Sequence, residues 1–181
     1  MSTSPQLYRR LALVAMLGGV VDVVLGIVQL SSPPQAEINF QTSDYLIEAL
    51  RGTAALLQLG GLFVLHRSQA GASGYRGLGT IGFSLAIVGQ AVILASAVSA
   101  LASGRVAFSL FVLGALLVIA GVPLLAAATF WAAVLPRWSA VLVTGLLSFA
   151  FGAIGVIVNG LVWIALGYLL LSRWTTLEHE T

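Results

Sequence analysis

Six side chains stand inside apolar runs where an otherwise apolar chain would carry none: Asp22, Glu48, Arg51, Gln58, Gln90 and Asn159. Between them they can pair charges, pass a proton or hold a polar ligand. Glu48, Arg51 and Gln58, with Ala55, share one stripe of a helix (48, 51, 55, 58). A charge at the centre of a bilayer costs about 2.5–3.5 kcal/mol on insertion scales, so an unpaired Arg51 facing lipid is not expected. The stripe must face other helices or water. Asp22 and Arg51 each lie some 9–12 Å below one membrane face at about 1.5 Å per residue, so antiparallel neighbours can pair them. Glu48, one turn from Arg51, competes for the same guanidinium. Two readings stay open: an ionic staple between the first two helices, or a ligand or proton site open to the outside. Gln58 and Gln90 fall near mid-membrane, where amide hydrogen bonds between helices are common. Asn159, followed by Gly160, reads as a turn residue.

Other chemistry is excluded by residue type. Cysteine and lysine are both absent, which removes disulfides, thiolate catalysis, iron–sulfur ligation and Schiff-base chemistry. The histidines, His66 and His179, fall at or beyond membrane edges and cannot clasp a haem across the bilayer. No G-x-S-x-G, H-E-x-x-H, Walker motif or acidic metal cluster is present. No catalytic residue, metal ligand or cofactor is assigned. An arginine beside two acids favours binding over proton chemistry.

The elements that must position these groups are transmembrane helices. Hydrophobic residues make up 59% of the 181 and charged residues 8%, with a mean hydropathy of +1.05. Roughly a quarter of a soluble domain is charged, so no water-facing surface could be built from this material. The runs are long and poor in proline, which points to helices and not to the short alternating strands of a barrel. The fold class expected is all-α, a polytopic helical bundle forming one integral-membrane domain. Its spans are placed at about 11–30, 46–65, 77–102, 106–135, 138–155 and 158–173. The last two arise by dividing an apolar stretch too long for one helix at a turn near Val156–Gly160. Five spans, with that stretch undivided, is the alternative. Six spans keep Arg9, Arg10, Arg67, Arg76, Arg137 and Arg173 on one side, as the positive-inside rule asks.

Local signals fill in the rest. Pro33-Pro34 ends the first helix, and the loop that follows carries Glu37 and Asp44 without a basic residue. Gly18 and Gly26 flank Asp22 by one turn, a face suited to close helix approach. Ala91, Ala95 and Ser99 form a small-residue stripe expected to pack against another helix. Tyr168 and the tryptophans near helix ends read as interfacial anchors.

Two passages carry a resemblance: GLFVLHRSQAGASGYRGLGTIGFSLAIVGQAVIL (Gly61–Leu94), and VLPRWSAVLVTGLL with VWIALGYLLLSRW (Val134–Leu147, Val162–Trp174). They resemble a loose group of small bacterial multi-pass membrane proteins. That resemblance implies six spans and brings no reaction or ligand. The location expected is the bacterial plasma membrane with both termini cytoplasmic. The partners expected are the lipid bilayer and either another membrane protein or a second copy; dispersed arginines give no reason to expect nucleic acid. A binding or assembly subunit, holding a lipid-like ligand, is the function expected. A small transporter or channel subunit with an outward-facing polar site is the alternative, and an enzyme has least support.

Overall fold

The computed structural model describes residues 5–32 and 41–179. Pro33, Pro34, Glu37 and the side chains of Arg173, Trp174 and His179 lie outside the described residues. All regular structure among the described residues is helical. It comprises α1 (Pro5–Ser31), α2 (Thr42–Gln69), α3 (Leu78–Ser103), α4 (Phe108–Ala132), α5 (Ser139–Gly145), a 3-10 segment (Leu146–Phe151) and α6 (Gly152–His179). Five stretches are long and apolar enough to cross a membrane: Gln6–Ser31, Thr42–Gln69, Leu78–Ser103, Phe108–Ala132 and Ser139–Ser172.

Apolar side chains gain nothing by leaving lipid, so close packing must hold such helices together. Two helix pairs achieve it with small residues repeated every seven positions. Along α1 and α6 these are Ala12, Gly19 and Gly26 against Gly167, Gly160 and Ala153. A Cβ built on Gly19 would lie 2.4 Å from the Gly160 carbonyl oxygen, and one on Gly160 would lie 2.4 Å from that of Gly19. Gly26 meets the Ala153 carbonyl and Gly167 meets that of Ala12. Along α3 and α4, Gly82 faces Gly121 and Gly89 faces Gly114, with the Ser96 hydroxyl donating to the Ala107 carbonyl at 3.1 Å. A seven-residue repeat keeps each seam in register over several turns. On α3 the buried small face is therefore Gly82/Gly89/Ser96. The expected Ala91/Ala95/Ser99 stripe is overturned: Ala91 and Ala95 are exposed and Ser99 is half-buried.

The C-terminal stretch corrects the six-span expectation. In a straight helix Gly145 and Val162 would be about 25 Å apart, at 1.5 Å per residue. Instead a Cβ on Gly145 would sit 2.9 Å from the Val162 side chain, and Ser148 Oγ donates to the Gly155 carbonyl at 3.0 Å. The chain reverses at Gly152 (φ +71°, ψ −156°), a conformation essentially reserved for glycine. Before that turn, Ser139–Phe151 forms a short arm of about 22 Å at helical and 3-10 rises, less than the ~30 Å hydrocarbon core. Five helices are long and apolar enough to span, and the arm is not a sixth. The reversal also lies outside the expected Val156–Gly160. Asn159 and Gly160 sit inside α6, where Gly160 supplies close contact with α1.

Contacts run α1–α2–α3–α4, then through the short arm to α6 and back to α1. The arm thus closes a ring that the spanning helices would leave open between α4 and α6. Because α1 and α6 are antiparallel, the start of α1 and the end of α6 share one end of the bundle, the terminal end. The end of α1, the start of α2, the 104–107 turn and the Gly152 reversal lie toward the other, the loop end. In the terminal half the axis is packed with apolar side chains, Leu65, Leu125, Leu166 and Leu170 being at most 1% exposed. Between α2 and α3 the buried Tyr75 closes that end. Its hydroxyl lies 3.0 Å from His66 Nδ1, the His66 ring stacks on Phe83 with centroids 4.1 Å apart, and burial pushes the Tyr75 pKa up.

Candidate binding cavity

Helix register decides which polar groups meet. Gly18 of α1 packs on Leu57 and Gln58 of α2, and Gly61 packs on Ala15. This antiparallel alignment brings Gln58 within reach of Asp22. Arg51, two turns further along α2, lies about 10 Å nearer the loop end. Asp22 accordingly accepts from Gln58 Nε2 at 2.5 Å, and from Asn159 Nδ2 of α6 at 2.6 Å, both on Oδ2. Gln90 Nε2 of α3 donates to Gln58 Oε1 at 2.6 Å. One hydrogen-bonded chain, Gln90–Gln58–Asp22–Asn159, therefore ties α3, α2, α1 and α6 together, each member at most 9% exposed. The expected turn role of Asn159 is overturned, because its amide is a partner of Asp22 inside a helix.

Arg51 pairs with Glu48, one turn away on the same helix. Its guanidinium carbon also lies 5.1 Å from the centre of the Phe111 ring of α4. The expected shielding of Arg51 is present. Of its candidate partners, Asp22, Glu48 or both, it takes Glu48, and the described residues place no cation on the Asp22 carboxyl. Glu48 is 3% exposed, and its second oxygen, Oε2, is buried without a hydrogen-bond partner.

These groups border a cavity of about 450 Å³ in the half of the bundle toward the loop end. Asp22, Arg51, Gln58, Gln90 and Asn159 all line it. Glu48 stands outside, one step behind Arg51. Gln29 of α1 adds a further polar side chain, and the rest of the wall is apolar, with Leu62, Phe111, Val118, Val122, Phe149 and Trp163 contributed by α2, α4, the 3-10 segment and α6. Trp163, well inside α6, is 3% exposed and belongs to this wall and not to an interfacial belt. Its ring lies 2.5 Å from a Cβ built on Gly61, and that glycine makes the room the indole occupies. The Gly60-Gly61 pair in an apolar run is a signal that could have pointed to a bulky neighbour here. Phe111 and Phe149 carried no signal at all.

Chemically the site is a mostly apolar chamber with a directional polar edge. A carboxylate accepts and never donates, so Gln58 and Asn159 must turn their NH₂ groups toward Asp22 and their carbonyls away. The Gln58 carbonyl is taken by Gln90. The Asn159 carbonyl, Oδ1, is buried and meets no partner. No cluster of metal-binding side chains occurs among the described residues. The chain matches no family model, no curated protein and no solved structure.

Proposed function

We propose that the protein is a membrane-embedded binding protein that holds an amphiphile in its central cavity. One observation carries this reading: a chamber of about 450 Å³, walled by aliphatic and aromatic side chains, borders a buried polar chain along one edge. Ligand pockets of roughly 300–1,000 Å³ commonly combine an apolar wall with a few convergent polar groups. A molecule with an apolar body and one polar group satisfies both surfaces. We place the protein in the bacterial plasma membrane with both termini cytoplasmic, which the arginine distribution favours. The cavity then opens from the outer half of the bilayer. A transport or channel role has less support, because the terminal half of the axis is filled by leucines and the polar chain stops at mid-bundle.

Mass spectrometry of the protein released from lipid nanodiscs tests this. The wild type is expected to carry a small amphiphile at near one per chain. Ala115→Trp, which fills the cavity from α4, is expected to lose it while keeping its thermal transition. A wild type that carries no such molecule, or a variant that carries as much, overturns the reading.

A further inference from the structure

The direction of the hydrogen bonds bears on which amphiphile fits. Asp22 receives both amide donors on Oδ2, and among the described residues no group donates to its Oδ1. Asn159, 6% exposed and part of the cavity wall, leaves its carbonyl oxygen buried and unpartnered. Both acceptors belong to side chains joined through the Asn159 amide, where α1 meets α6. The cation bordering the same cavity, Arg51, is engaged by Glu48 and sits over Phe111. The cavity edge at Asp22 therefore presents acceptors, with a carboxylate that no protein cation balances. A buried carboxylate lacking its counter-charge is the costly half of an ion pair, and in a membrane such a group marks a functional site by default.

Resting on the binding reading above, we propose that the ligand is an amine-bearing amphiphile whose protonated nitrogen bridges Asp22 Oδ1 and Asn159 Oδ1. An ammonium supplies the missing charge and has hydrogen-bond donors for both oxygens. Its apolar body lies along the Trp163, Phe149 and Val122 wall, and the aromatic faces there favour a cation nearby. An anionic or purely acceptor headgroup would meet the same two oxygens with repulsion. A neutral alcohol would satisfy one acceptor and leave the charge unbalanced.

Trp163 provides the readout. With Trp131, Trp138 and Trp174 replaced by Phe, the remaining indole reports on the cavity wall. Three probes of equal chain length, an ω-bromoalkylamine, an ω-bromoalkanol and an ω-bromoalkanoic acid, are titrated into nanodiscs at fixed lipid. The amine is expected to quench Trp163 saturably, to be displaced by unbrominated alkylamine, and to bind at least tenfold tighter than either other probe. Asp22→Asn is expected to remove that tenfold preference. Asn159→Ala, which leaves the Asp22–Gln58 bond in place, is expected to weaken the amine and spare the alcohol. The ranking in the wild-type cavity is decisive whether or not either variant folds. Saturable quenching by the alcohol or the acid as strong as by the amine overturns the proposed ligand class and leaves the cavity reading standing. Absence of saturable quenching by all three overturns both.

Discussion

Arg51 and Asp22 border the same cavity yet belong to separate polar units, and mutational coupling can tell those units apart. Arg51→Ala leaves Glu48 buried with neither oxygen compensated. Breaking a buried pair from one side costs about 3–5 kcal/mol, and Arg51→Ala/Glu48→Gln should recover most of that loss. In a double-mutant cycle Asp22 and Arg51 should couple by less than about 0.5 kcal/mol, as for sites without shared partners. Asp22 and Gln58, in direct contact, should couple by about 1–3 kcal/mol. Chemical denaturation in mild detergent measures both, and strong coupling between Asp22 and Arg51 would show that the register of α1 on α2 is not the one described. All six polar residues were legible in the sequence, because a polar group in an apolar run is conspicuous. Five of them border the cavity and the sixth, Glu48, pairs with one of those five. Their partners were not legible. Charge complementarity left both Asp22 and Glu48 open to Arg51; the Gly18 contact sets the axial alignment, and spacing within one helix does not reveal alignment between two.

At the scale of the elements, seven-residue glycine repeats decide which faces meet. Gly89→Leu would drive a side chain into the backbone of α4, where a Cβ alone would already lie 2.6 Å from the Gly114 carbonyl. A loss of about 3 kcal/mol or more is expected, at the upper end of what overpacking costs. Ala95→Leu, on the exposed side of α3, should stay within about 0.5 kcal/mol, as ordinary surface changes do. Thermal melts of the two variants in one detergent make the comparison, and equal losses would refute the seam. Helical content and the first four spans were readable from composition and run length, since those depend on local hydropathy. Two things were not. The small-residue stripe on α3 was placed on Ala91/Ala95/Ser99 because a four-residue spacing looks like a packing motif. The structure uses the seven-residue spacing, recognisable only against the matching repeat on α4. The reversal after Phe151 was missed because Asn159-Gly160 is the stronger turn signal in isolation. Gly152 stands out only through its backbone conformation.

For the molecule as a whole, the antiparallel seam between α1 and α6 puts the start of α1 and the end of α6 on one side. Reporters fused before Met1 and after Thr181 should give the same readout, and a reporter in the 71–76 connection should agree with them. Opposite readouts at the two ends would contradict the seam. The short arm that closes the ring has a consequence for the lipid around it. Its reversal lies opposite Gly26, about 7 Å short of the end of α1 at helical rise. Backbone at such a turn has no ladder of its own and must meet water or headgroups. Phe151 and Ile154, 80% and 67% exposed, present apolar surface beside that turn. The bilayer should therefore be pulled thin on this one flank, and the protein should sense membrane thickness there. Its thermal transition is expected to be highest in short-chain phosphatidylcholines and to fall as the chains lengthen, by fractions of a kcal/mol per Å of mismatch. A transition that rises steadily with chain length would mean that lipid does not follow the arm inward.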